Sequence, residues 1–205
     1  MNFDSKQHWE KVYNTKKPAE VSWYQNYPAL SMDLIAFAKI DKDQKVIDVG
    51  GGASVLVDAL LDKGFKDVTV LDISSKAIQH ARERLGQRAQ SVQWIEADIT
   101  QFDPPQQYDV WHDRAVFHFL TQEEDRKKYI SALEKAVKAG GHVVIGTFSL
   151  EGPPKCSGLD VERYDPQKMQ KELGGSFEFI KSADEIHVTP WNSEQKFTYF
   201  FFKRA

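Results

Sequence analysis

Between positions 112 and 118 the chain reads His-Asp-Arg-Ala-Val-Phe-His, which places an acid, a guanidinium and two imidazoles within seven residues. Imidazole changes charge near neutral pH, so such a cluster can move protons. His118, Asp113 and His112 are the candidate catalytic residues, with His118 first as a general base. The two histidines also have plainer readings. His118 can be a core or capping histidine beside Phe117 and Phe119, and His112 a strand-end residue bonded to neighbouring backbone. Arg114 can bind an anionic substrate or pair with a surface carboxylate. A second kind of chemistry sits upstream. The apolar run Val46-Ile-Asp-Val49 ends in Gly50-Gly51-Gly52, and a helical pattern starts at once. Glycines there permit positive φ and let a ligand lie against bare backbone. The free N–H groups of a helix start point at the same spot. Asp72 ends another apolar run, 22 positions after Gly50. A carboxylate there can accept both hydroxyl protons of a ribose, which fits an adenosine ligand, or it can simply cap the next helix.

Positioning these groups requires alternating strands and helices, hence a parallel sheet covered on both faces. Strands are expected at 45–49, 68–71, 92–95, 108–112 and 142–148. Helices are expected over 4–14, 29–39, 54–63 and from Ser74 to about Leu85. A further helix should open at the capping-box pattern Thr121-Gln-Glu-Glu124 and end at Gly140-Gly141. In the second helix, Leu30, Leu34 and Phe37 have core-facing spacing. Residues 150–163 read as a long loop, of a length that is often functional. Cys156 in it can meet a substrate or be a small buried apolar group. Asp165-Pro166 caps a short helix over 165–173, and two strand-like runs follow that should pair antiparallel. The first 27 residues are dense in aromatics. These rings can pack the segment onto the core, or Tyr13, Trp23 or Tyr24 can line a lid over the cofactor.

The bulk numbers exclude several classes. A chain of 205 residues suits one domain, so a single domain over 1–205 is expected, with residues 1–40 as an N-terminal helical and aromatic lid segment. Net charge is -3 and no basic block occurs, which argues against a nucleic-acid partner. One cysteine permits no internal disulfide and fits a reducing compartment. Residues 1–9 are too polar for a signal peptide, and no apolar run reaches membrane-spanning length. A cytoplasmic protein without membrane partner is the expectation. No metal site is expected.

Glycine turns serve many cofactors. Gly50 and Gly52 are followed by Val55, so the third glycine of a dinucleotide fingerprint is missing. No Tyr-x-x-x-Lys pair occurs either, which argues against a nicotinamide oxidoreductase. No G-x-x-x-x-G-K-[ST] loop occurs, which argues against nucleoside triphosphates. Over residues 44–150 the chain resembles the class I S-adenosylmethionine-dependent methyltransferases. The resemblance rests on Val46-Ile-Asp-Val-Gly-Gly-Gly52, Val70-Leu-Asp-Ile-Ser74, Glu96-Ala-Asp-Ile99 and Leu133-Glu-Lys-Ala-Val-Lys-Ala-Gly-Gly-His142, the last with Ala139 where the family usually has proline.

The resemblance implies an α/β fold, a three-layer Rossmann-like sheet, mostly parallel, with a C-terminal antiparallel hairpin and strand order 3-2-1-4-5-7-6. It implies S-adenosyl-L-methionine as cofactor and S-adenosyl-L-homocysteine as product. Gly50 and Gly52 would pass under the amino-acid end of the cofactor, and Asp48 would orient its ammonium. Asp72 would bind the ribose, Ile73 would lie against the adenine, Asp98 would accept from the adenine amino group, and Ile99 would sandwich the ring. Asp113 and Ala115 would flank the methyl-donor end, with Trp23 above. Methyl transfer to a nitrogen, oxygen or sulfur of a small molecule is the expected activity. The N-terminal runs His8-Trp-Glu-Lys-Val-Tyr13 and Val21-Ser-Trp-Tyr24 also resemble protein-lysine methyltransferases. Those relatives carry Asp-Lys-Gly after strand four, where this chain has Asp113-Arg-Ala115. A methyltransferase fold acting only as a binding module is the remaining alternative.

Overall fold

A computed structural model of the chain describes residues 4–205. The first three residues, part of the expected 1–40 segment and of the polar stretch read against a signal peptide, lie outside the described residues. One large sheet holds β1 (Lys45–Val49), β2 (Asp67–Asp72), β3 (Val92–Glu96), β4 (Tyr108–Arg114), β5 (Val137–Phe148), β8 (Phe177–Val188) and β9 (Glu194–Arg204). A separate two-stranded ribbon holds β6 (Lys155–Cys156) and β7 (Leu159–Asp160). The large sheet runs β3-β2-β1-β4-β5-β9-β8, which is the expected 3-2-1-4-5-7-6 when its own seven strands are counted. β1 to β5 are parallel, and β9 runs antiparallel between β5 and β8.

The central strands are apolar on both faces because helices cover both. Helices α2 (Ala29–Phe37), α3 (Leu56–Asp62) and α4 (Ser75–Leu85) pack Ile35, Leu60 and Leu85 against Val46, Val70 and Val110. On the other face α5 (Glu123–Ala136) and α6 (Pro166–Leu173) pack Tyr129, Leu133 and Met169 against Trp111, Val143 and Phe200. The remaining helix, α1 (Ser5–Thr15), is capped by Asp4, whose side chain accepts from Gln7 N. It lies on the start of α4, where Glu10 accepts from Ser75 N at 2.7 Å. A carboxylate is favoured at a helix N-terminus because the free N–H groups there carry partial positive charge. Among the described residues no helix is long and apolar enough to cross a membrane.

Four sequence expectations need correction. The capping box at Thr121 does not form: Gln122 is the N-cap, without a side-chain bond. Arg126 folds back onto the carbonyls of Leu120 and Thr121 at 3.0 Å each and fixes the entry to α5 instead. The glycine pair does not end that helix. The helix stops at Ala136, and β5 runs through both glycines with Gly140 at φ 75. Pairing with β4 jumps from Tyr108↔Val137 to Val110↔His142, so a bulge absorbs the extra residues. Lys138 Nζ, 2.8 Å from Asp109 Oδ2, holds that bulge to β4. The expected loop at 150–163 contains the ribbon, turned by Ser157 (φ 51) and Gly158 (φ 80). Two positive φ values in a two-residue turn match the twist of paired strands. Finally, Phe37 is 46% exposed rather than in the core. It sits at the last turn of α2 with its ring edge-on to Phe201.

Candidate active site

β1 delivers the chain to the glycine bend. Gly50 has φ 71, and a Cβ there would run into Val116 Cγ2, so glycine is required for two separate reasons. Its N–H donates to Leu71 O at 2.7 Å, which ties the bend to β2. Asp72 makes a second tie. Its Oδ2 accepts from Gly52 N at 2.9 Å and its Oδ1 from Ser74 N at 2.8 Å. A Cβ on Gly52 would lie 2.6 Å from that same Oδ2. Burial raises the Asp72 carboxyl to about 6, although the two N–H donors pull it down. Each oxygen keeps a further lone pair, and Asp72 lines the cavity described next.

That cavity, of about 470 Å³, opens above the carboxyl ends of β1, β2 and β4, where open α/β sheets hold ligands. The volume falls within the roughly 300–1,000 Å³ of small-molecule sites. Gly50, Asp72 and Ile73 form its floor, Asp98 and Ile99 one wall, and Ala115 another. Ala115 has φ 70, a left-handed conformation, and its N–H donates to Gly146 O at 2.8 Å. Asp98 Oδ1 accepts from Thr100 N and Oγ1, both at 2.8 Å. Aromatic rings line another part, beside polar groups such as Thr121, Gln122 and Asp125. Trp9 stands edge-on to Trp23 at 5.7 Å and to Phe119 at 5.0 Å, and Trp23 Nε1 donates to Tyr13 Oη at 3.2 Å. Of the three rings expected at a lid, Tyr13 and Trp23 line this cavity, whereas Tyr24 lines only a smaller hollow beside it. Gly52 lines neither cavity; it packs against Asp72 and Ala77.

Asp48 and His112 meet under the bend. His112 Nδ1 lies 2.7 Å from Asp48 Oδ1, and its Nε2 lies 2.9 Å from Ser31 Oγ. All three residues are almost wholly buried. Asp48 Oδ2 is buried without a hydrogen-bond partner. Together the three border the smaller hollow, with Gly50 and Gly51 on its rim.

Two candidates do not reach a cavity. Asp113 is fully buried, and its carboxylate is saturated from within. Val116 N donates to Oδ1 at 2.9 Å, and Phe117 N (3.1 Å) and Tyr129 Oη (2.7 Å) donate to Oδ2. It shapes the turn after β4 rather than facing a ligand. Burial raises it to about 6. His118 is also fully buried, its ring 4.8 Å from that of Phe148. Its Nδ1 accepts only a long hydrogen bond, from Phe148 N at 3.4 Å, and its Nε2 is buried without a partner. Burial, then the Arg114 charge, lowers its pKa to about 3. Such an imidazole stays neutral through the working range and lines neither cavity, which favours the second of its two readings, a core histidine, over the base. His118→Gln is expected to leave the pH dependence of kcat unchanged between pH 6 and 9, as a pH–rate profile of both proteins will show. A lost acidic limb in the variant would restore His118 as the base.

Arg114 is paired, but not at the surface. It donates from Nε to Tyr199 Oη (2.7 Å), from Nη1 to Trp23 O (3.0 Å) and from Nη2 to Glu185 Oε2 (3.3 Å). Cys156 satisfies both of its readings: it is buried among apolar side chains and borders the cavity. Burial pushes its thiol up to about 11, so it stays protonated. Sequence reasoning missed Trp9 and Phe119. Trp9 lies one helical turn before Tyr13, a spacing that places both on the same face of α1, and this was the signal available. Phe119 had no such signal, because a short turn after β4 rather than a periodic element carries it.

Residues 47–143 match a family described as a methyltransferase domain. The chain is 28% identical over 170 residues to the eEF1A lysine and N-terminal methyltransferase of Mus musculus; the match covers 73% of this chain but 24% of that protein. It is 25% identical over 146 residues to the ubiquinone biosynthesis O-methyltransferase of Pectobacterium carotovorum, covering 70% of this chain and 59% of that one. The chain therefore spans about a quarter of the first relative and under two thirds of the second. Among solved structures, an S-adenosylmethionine-dependent methyltransferase from Anabaena variabilis superposes with a TM-score of 0.77 at 14% identity, covering 100% of this chain and 96% of that one. The N-methyltransferase NodS from Bradyrhizobium japonicum, in complex with S-adenosyl-L-homocysteine, gives 0.73 at 15% identity, covering 98% and 100%. At these identities the likeness is one of fold.

Proposed function

Since the chain belongs to the class I S-adenosylmethionine-dependent methyltransferases, we propose that it moves the methyl group to a nitrogen, oxygen or sulfur atom of a small molecule. The observation that carries the small-molecule reading is the set of the chain's own rings, Trp9, Tyr13, Trp23 and Phe119, that line the cavity. In this reading residues 1–40 are the lid, and the cavity is one domain's own chamber.

The residues present suit the cofactor. Asp72 and Asp98 bring carboxylate oxygens to the cavity, for ribose hydroxyls and for the adenine amino group respectively. Ile73 and Ile99 offer apolar faces to the purine ring. Asp48 Oδ2 is a buried acceptor lacking a donor, as an ammonium would require. When bound, the cofactor supplies an electrophilic methyl group on a sulfonium and its own leaving group. What the chain adds is alignment and exclusion of water. Among the described residues that line the cavity there is no imidazole, so this chain contributes positioning more than proton transfer.

A second reading is transfer to a protein lysine. It is favoured by the match to the eEF1A lysine and N-terminal methyltransferases over 73% of the chain. Incubating the protein with radiolabelled cofactor, a panel of small amines, phenols and thiols, and separately a protein lysate, distinguishes the two. Release of S-adenosyl-L-homocysteine with a member of the panel is the expected result. Label confined to a protein band would overturn it.

A further inference from the structure

Of the three residues linked under the glycine bend, His112 and Ser31 have no part in the reading so far, yet their chain ends on Asp48 Oδ2, a buried carboxylate oxygen that lacks a donor. Resting on the cofactor reading above, we infer that His112 is a positioning residue: it fixes the Asp48 carboxylate so that Oδ2 presents to the ammonium of the cofactor, and Ser31 fixes His112 in turn.

The geometry constrains the protons. An ionised carboxylate can only accept, so the 2.7 Å contact puts the ring proton on His112 Nδ1. In the neutral ring Nε2 is then the acceptor, and the Ser31 hydroxyl donates to it across 2.9 Å. The three groups come from β1, β4 and α2, so none can turn without leaving a buried partner unsatisfied. The register adds to this. Asp48 and His112 are directly paired on adjacent parallel strands, which places their side chains on the same face of the sheet. With Oδ1 held by the ring, Oδ2 is left beside Gly51, where even a Cβ would collide with it. Glycine at that place is what gives the oxygen room under the bend.

Although the three side chains have the order Asp, His, Ser of a hydrolytic triad, the serine is 1% exposed. A nucleophile needs access, so the arrangement acts as a brace.

The test compares two ligands by calorimetry: S-adenosyl-L-homocysteine, which carries the ammonium, and 5′-methylthioadenosine, which keeps the nucleoside but lacks the amino-acid end. His112→Leu is expected to weaken the first by about tenfold or more and the second by less than about threefold. His112→Asn, whose amide N–H can replace Nδ1–H, should recover most of the loss. Ser31→Ala, which frees the ring but keeps the donor to Asp48, should fall between and carries the comparison if His112→Leu does not fold. Equal weakening of both ligands, or of neither, would overturn the brace. A wild-type protein that binds neither ligand would instead overturn the cofactor reading.

Discussion

Asp72→Ala is expected to weaken S-adenosyl-L-homocysteine binding by about 100-fold or more, read by calorimetry at pH 7.5. Two losses combine. Charge-assisted hydrogen bonds to a carboxylate are about twice as strong as neutral ones, and the ligand's two hydroxyls would lose that partner. The same carboxylate also holds the bend in shape, through Gly52 N and Ser74 N. Removing it leaves two buried donors unmet, at about 1–3 kcal/mol each, so a lower melting temperature accompanies the loss. Asp72→Asn separates the two effects. It keeps the shape and one acceptor, but must turn an NH2 group toward one of those backbone donors. The pH dependence gives an independent check. With the free carboxyl at about 6, affinity in the wild type should fall as pH drops below 6, approaching about tenfold per unit. The sign follows from the chemistry: hydroxyl donors favour the ionised form, so protonation competes with ligand. In Asp72→Asn this part of the slope disappears. Binding by Asp72→Ala within fivefold of the wild type, at about the resolution of such titrations, would remove the ribose contact from the reading.

The second large effect concerns stability. Asp113→Ala should lower the unfolding free energy by about 4 kcal/mol, measured from urea midpoints at unchanged slope. Three donors converge on this carboxylate, and Tyr129 Oη in turn accepts from Trp111 Nε1 at 2.9 Å. Trp111, Tyr129 and Phe117 pack as edge-to-face pairs around it. Water has no access there to replace the lost acceptor, so the cost exceeds that of an ordinary cap. Asp113→Asn keeps shape and one acceptor and should lose less than half as much. At concentrations of folded protein matched by circular dichroism, both variants should retain cofactor affinity within about threefold. A selective loss of affinity without loss of stability would return Asp113 to the binding site.

How much of this was legible depends on whether a feature is local. β1, the glycine bend, Asp72 and the Ser74 cap follow from short-range rules: an apolar run, glycines where φ is positive, a hydroxyl before a helix. The sheet order came through the family resemblance and not from periodicity. What stayed hidden was set by side-chain direction across the sheet. Asp113 and Ala115 are two residues apart at the same strand end, yet one faces a core and the other a cavity. Nothing in the spacing tells which. His118 had two readings for the same reason, and the turn after β4, which aims it inward against Phe148, fits the core histidine rather than the base. The pairing of His112 with Ser31 joins positions 81 apart and no sequence rule anticipates it. Arg114 was expected to bind an anionic substrate or to pair with a surface carboxylate; it does pair with a carboxylate, Glu185, but inside the fold on the far hairpin.

That arginine has a consequence for how the molecule comes into being. Its three partners come from the first thirty residues and from both arms of the terminal hairpin, Glu185 on β8 and Tyr199 on β9. The nucleoside floor, from β1 to β4, can assemble while the rest of the chain is still being synthesised. The clasp on Arg114 cannot close so early, because β9, last in order, must slip between β5 and β8 before Tyr199 Oη meets its Nε. A nascent chain halted short of residue 194 would therefore hold every lining residue of the cavity, Ser5 to Asp160, but lack the hydroxyl that completes the grip on Arg114.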